Sequence, residues 1–153
     1  MRGGIAIEGL GFNQLSIDLV GQLNQLNKLD KYHDLIVFYA KHGVVGKPTM
    51  FSMMQLDKMW AFSGPVMATN LNTASKLIKC PRPPKKFFYV YDLEWLNDFY
   101  DVDHLASIYC HPSINLIARS QDHYNILKQC WKEPVTIIED FNYEEVTREF
   151  ARI

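Results

Sequence analysis

Residues 35–40 (Leu35, Ile36, Val37, Phe38, Tyr39, Ala40) are six apolar side chains in a row, rich in β-branched and aromatic types. Successive side chains of a strand point to opposite faces, so such a run needs cover on both sides. That is the condition of a central strand in a parallel sheet flanked by helices. Residues 86–91 (Lys86, Phe87, Phe88, Tyr89, Val90, Tyr91) form the strongest strand pattern in the chain. At 153 residues, 48% of them apolar, the chain is sized for one domain and can fill one core.

Around these runs the period changes to that of helices. Residues 4–8 read as a first strand that breaks at Gly9-Leu10-Gly11-Phe12-Asn13. From Leu15, apolar residues fall at 15, 19, 23 and 26, widened by Ile17 and Val20, which predicts an amphipathic helix ending near Asp30. Residues 41–49 read as loop, and 50–54 are apolar without a clear period. Residues 58–62 read as a short strand stopped by Ser63-Gly64-Pro65. Asn72 or Thr73 then caps a helix to Lys79, which three prolines within 80–84 terminate. A helix over 103–110, a strand over 114–118, a helix over 121–131 capped by Ser120, a strand over 135–138 and a helix over 143–150 complete the series. The expected architecture is α/β: residues 1–153 as a single Rossmann-like, doubly wound, mostly parallel sheet of about six strands with helices on both faces.

Charge and composition exclude several classes. Sixteen basic against seventeen acidic side chains leave a formal charge of −1, so general nucleic-acid binding is not expected. The N-terminal apolar stretch is too short for a signal peptide or a membrane span, which predicts a cytoplasmic protein with no membrane partner. Cys80, Cys110 and Cys130 are an odd set without C-x-x-C spacing, and are expected to be reduced thiols packed beside helical stripes. His33, His42, His104, His111 and His123 show neither H-x-x-x-H nor H-E-x-x-H spacing, so no metal and no cofactor is predicted. Neither a G-x-S-x-G elbow nor a phosphate-loop motif is present.

Ligands of open α/β sheets bind beyond the carboxyl ends of the strands, and that rule selects the candidate residues. Gly9, Gly11 and Asn13 occupy the first strand-to-helix turn, where helix amides face outward, but Gln14 stands where a dinucleotide fingerprint has its third glycine, and a plain structural turn is the simpler reading. Asp92 and Glu94 follow the strongest strand and are the candidate catalytic bases; alternatively Asp92 caps the next turn and Glu94 is solvated. Arg119 and Ser120 end a strand and open a helix, which suits an anion, or Ser120 is simply an N-cap. Asp101 and Asp103 form a D-x-D element, equally explained by Asp103 as a helix cap and Asp101 as favourable charge beside it. Trp60, Trp95 and Trp131 can stack on a sugar or base, although packing is the plainer account.

The order Ile117-Ala118-Arg119-Ser120, a helix, and then residues 135–142 resembles the closing strand-helix-strand of the N-terminal half of GT-B glycosyltransferases. The opening residues 5–11 and the phrase Phe62-Ser63-Gly64-Pro65 are similar in kind, and the likeness is nearest to short glycosyltransferase-like proteins of bacteriophages. It covers most of the chain as a pattern, with no diagnostic motif. The resemblance implies an acceptor-side loop at residues 9–13 and a sheet-edge cluster of Asp92, Glu94 and Arg119. The donor domain and the glutamate element of such enzymes find no counterpart in residues 143–153. It therefore implies a glycosyltransferase-like domain with an incomplete donor site, inactive alone, whose partners are a sugar nucleotide or a protein chain that completes the site.

A non-enzymatic interaction or assembly protein is the alternative, with Phe51, Met53, Met54, Tyr100 and Phe141 as a candidate sticky patch. A nucleotide-dependent switch domain ranks last, for want of the acidic pocket and lysine that such switches use.

Overall fold

A computed structural model describes residues 2–11, 13–28, 34–41, 43 and 47–152. Phe12, Asp30, His33 and His42 lie outside these residues, so the expected helix end near Asp30 and two of the histidines are not placed. The strands are β1 (Arg2–Gly9), β2 (Asp34–Lys41), β3 (Ser52–Gln55), β4 (Val66–Ala68), β5 (Lys86–Val90), β6 (Ile114–Ala118) and β7 (Thr136–Ile137). The helices are α1 (Gln14–Lys28), α2 (Leu71–Lys79), α3 (Val102–Tyr109), α4 (Gln121–Cys130) and α5 (Tyr143–Ala151). All the strand pairs are parallel, and the sheet runs β3-β2-β1-β4-β5-β6-β7. The α/β, doubly wound architecture is as expected, with seven strands among the described residues against the about six foreseen.

The strand alternation explains why helices must cover both faces. Ile5, Ile7, Val37, Phe87, Tyr89 and Ile117 pack under α1 and α5 with Leu19, Leu23, Val146 and Phe150. Ala6, Phe38, Phe88, Val90, Leu116 and Ala118 face the other way, onto Leu71, Leu77, Leu105, Tyr109 and Leu127 of α2, α3 and α4. Two glycines let these layers close on β1. A Cβ at Gly3 would stand 2.6 Å from the Phe150 ring, and one at Gly4 2.8 Å from Phe38.

Two strand assignments differ from the sequence expectation. Residues 58–62 are not a strand: Leu56–Ala61 wind into a 3-10 helix that buries Leu56 and Met59 on a 3-residue period and leaves Trp60 exposed. The strand is β4, which follows Gly64-Pro65 and has only three residues. Residues 50–54, without period in the sequence, hold the edge strand β3, and edge position explains their half-buried pattern.

Caps and packing bring further corrections. The N-cap of α2 is Asn70, not Asn72 or Thr73; Asn70 Oδ1 accepts the Thr73 N–H at 2.8 Å, and the Thr73 hydroxyl accepts the Asn70 N–H. Asp101, not Asp103, caps α3. Cys80 is buried, but Cys110 and Cys130 are exposed because they sit at the ends of α3 and α4 rather than on an apolar stripe. Ile17 also faces solvent, while Ser16, Leu19, Val20 and Leu23 form the buried face of α1.

The expected sticky patch is not one surface. Phe141 is fully buried edge-on to Tyr89, and this burial holds Asp140 and Phe141 in left-handed backbone conformations that non-glycine residues seldom adopt. Phe51, Met53 and Tyr100 are half-buried against the cores, and Met54 alone of the five is exposed. Trp95 and Trp131 pack with Tyr109, edge-on at 5.0 Å and stacked at 5.4 Å, which is the plainer role foreseen for them. Among the described residues no helix is long and apolar enough to cross a membrane.

Candidate functional site

The strand order reverses at β1. The chain leaves its carboxyl end into α1 on one face of the sheet, and leaves the neighbouring β4 into α2 on the other. Helices that diverge in this way open a crevice beyond the strand ends. A crevice of about 480 Å³ stands there, lined by Glu8 and Gly9 from β1, Asn13 before α1, Thr69 and Asn70 after β4, Tyr91, Asp92 and Glu94 after β5, and Arg119 after β6. Thr69 fixes its floor, because its buried hydroxyl donates to the Ala6 carbonyl at 3.0 Å and ties β4 to β1.

Five of the seven sequence candidates therefore meet: Gly9, Asn13, Asp92, Glu94 and Arg119. Gly11 and Ser120 do not line the crevice. The Gly11 N–H donates to Ser16 Oγ at 3.2 Å and so is bonded within the turn, and no described glycine has positive φ, so the turn does not use glycine's left-handed freedom. A Cβ at Gly11 would meet only Asn13 Nδ2, at 4.0 Å. Ser120 is the N-cap of α4, its Oγ accepting the His123 N–H at 3.2 Å, which is its plainer reading.

The two carboxylates after β5 have different surroundings. Glu94 is not a solvated residue: its Oε1 accepts the N–H of Leu71, the first residue of α2, at 2.9 Å. Burial pushes its carboxyl above the usual range; the Leu71 N–H opposes this, and the charges of Asp92, Glu8 and Asp98 add to it. Asp92 does not cap the following turn, whose N-cap is Leu93 with no side-chain bond. It lies 4.0 Å from Arg119 Nη1 with its side chain 67% exposed, a loose pair of little energetic weight. Arg119 instead spreads its guanidinium over the Tyr91 ring, 4.0 Å from the centroid.

Glu8 was not singled out from the sequence, nor were Thr69, Asn70 and Tyr91. For Glu8, burial tends to raise the pKa, but hydrogen bonds from Asn72 and Lys41 and the Lys41 charge outweigh it and hold the carboxyl below its usual range. Lys41 Nζ stands 3.3 Å from Glu8 Oε1. A polar residue ending an apolar strand was the available signal for Glu8, while Thr69 and Asn70 were hidden by the misplaced fourth strand. Among the described residues no group of three His, Cys, Asp or Glu side chains is placed to hold a metal ion. His104 is exposed, His111 bonds Ser113, and His123 lies 3.5 Å from the Val90 carbonyl.

The raised Glu94 carboxyl has a consequence for stability. The folded chain holds that proton more tightly than the unfolded chain, so stability falls as pH rises through the carboxylate range. Glu94→Gln keeps an acceptor for Leu71 and removes the charge. The variant is expected to be more stable than the parent near neutral pH, with the gain vanishing below the carboxylate range. Urea denaturation at both pH values checks this, and a variant less stable at neutral pH contradicts it.

Comparison of the chain with protein-family models, curated proteins and solved structures found no match.

Proposed function

We propose that the chain is a carbohydrate-recognising domain of the glycosyltransferase-like kind, holding a sugar in the crevice between β1 and β4 and inactive in transfer by itself. The observation that carries this reading is the state of the backbone amides around the crevice. Ser16 donates to Asn13, Leu71 to Glu94 and Thr73 to Asn70, so these three amides at the starts of α1 and α2, of the kind that receive a phosphate elsewhere, are engaged within the chain. The polar side chains lining the crevice include carboxylates, side-chain amides and one guanidinium, beside the apolar Ile7 and Leu15 and the Tyr91 ring. Sugar hydroxyls both donate and accept, and suit such a set. Asp92 and Glu94 are the groups able to take a proton from a bound hydroxyl, and a carboxyl raised by burial is the better matched base.

A ligand that binds only the folded state raises the melting temperature in a saturable way. A thermal-shift series is expected to show this for a neutral mono- or disaccharide and not for pyrophosphate or uridine diphosphate. A shift with pyrophosphate and none with any sugar would replace this reading by phosphate recognition.

One observation favours the interaction-module reading. Leu96 and Val102 are each 66% exposed and Phe99 is completely exposed, in the segment that follows Glu94. A stoichiometric complex in a solution mass measurement supports that reading, and a monomer without a partner speaks against it.

A further inference from the structure

We infer that β3 is the seam of a symmetric dimer, in which a second copy of this chain lays its own β3 antiparallel to the first and joins two sheets into one. The inference does not depend on what the crevice binds. β3 hydrogen-bonds β2 on one side, and no described residue pairs with its backbone on the other. An edge of this kind presents unpaired N–H and C=O groups to any strand that can approach, and proteins usually defend it with charge, proline or short length. β3 has only the last of these: its four residues include neither charge nor proline, and no charged residue occurs anywhere in 48–56. The opposite edge, β7, has two residues and runs into Glu139 and Asp140. The approach to β3 is also held in place, because Asn24 of α1 donates to the Pro48 carbonyl at 2.9 Å and accepts the Met50 N–H at 2.8 Å.

Exposed apolar side chains flank this edge on both faces of the sheet. Met54 is the register partner of Phe38, so it shares the face that carries the 3-10 helix of Leu56–Ala61, where Trp60 is also exposed. Met50 is exposed on the α1 side. An added strand would therefore find apolar contact above and below as well as backbone partners. Charge favours a second copy as that strand. Two antiparallel copies are related by a two-fold axis perpendicular to the sheet, so each face continues into the same face of its mate, and nothing beside the axis must repel itself. Residues 48–56 hold no charge to do so, and just after them Asp57 and Lys58 stand 3.2 Å apart and offset each other. A partner of different sequence would find no charge here by which to be selected.

Analytical ultracentrifugation of the full chain from about 1 μM to 1 mM tests the proposal. A reversible monomer–dimer equilibrium with no larger species is expected. Pairing centred on β3 sets residue 54 opposite or diagonal to its own mate, so Met54→Lys and Met54→Glu each place like charges together and remove apolar contact. Each is expected to weaken the dimer on the order of tenfold or more, and mixing the two variants is expected to restore it. Met54 is 42% exposed, so both variants keep the fold, which circular dichroism verifies. A monomer at every concentration overturns the proposal. A dimer that neither variant weakens removes β3 from the interface. Weakening without recovery on mixing overturns the antiparallel two-fold pairing, and open-ended larger species overturn the closed dimer.

Discussion

Asp92→Asn combined with Glu94→Gln is expected to weaken sugar binding by roughly a hundredfold or more while the protein stays folded. Hydrogen bonds to charged groups contribute about 1.5–3 kcal/mol each, and the pair supplies two of the crevice carboxylates. The fold does not depend on either charge. Asp92 makes one loose pair with Arg119, and Gln at 94 retains the acceptor for the Leu71 N–H on which the start of α2 rests. Calorimetric titration beside a thermal melt separates the two effects. Binding retained within a few-fold would remove both residues from the site, and a collapsed melting temperature would make their role structural.

Phe88→Ala is expected to cost about 3–5 kcal/mol, because Phe88 is fully buried in β5 and deleting its ring leaves a cavity against a close-packed layer. Its ring stacks on Tyr109 at 5.3 Å, and Tyr109 in turn stacks on Trp131 and meets Trp95 edge-on. Loss of the ring therefore loosens the aromatic layer under α3 and α4, and near-ultraviolet circular dichroism should weaken with the melting temperature. For a chain of this length a loss of that size lowers the melting temperature by roughly 6–20 °C. β5 leads directly into Tyr91, Asp92 and Glu94, so sugar binding should fall along with stability. A change of less than about 1 kcal/mol would contradict the packing described for this face.

The sequence showed the layer architecture clearly, because residues 35–40 and 86–91 leave no polar face and force cover from both sides. It showed β4 poorly, for a physical reason: three residues are too few to display a period, and the apolar 58–62 stretch is a better strand by composition than by geometry. Asp92, Glu94 and Arg119 were legible because each follows a recognisable strand. Thr69 and Asn70 were not, since finding them requires knowing where β4 ends. Gly11 was overvalued. The turn closes on the Ser16 hydroxyl and the Asn13 cap, which accepts the Ser16 N–H at 2.8 Å, rather than on glycine conformations. The dual environment of Glu94, on a helix terminus yet desolvated beside other carboxylates, arises only from contacts between β1, α2 and the segment after β5.

The most direct test of the crevice as the binding site is an amide-resolved NMR titration of the full chain with the sugar that gives the largest thermal shift. The account predicts shift changes that saturate together and concentrate at Glu8, Gly9, Asn70, Asp92 and Arg119, around the carboxyl ends of β1, β4, β5 and β6. Changes confined to the amino ends of the strands or to the outer faces of α3 and α4, with these residues unmoved, would contradict it.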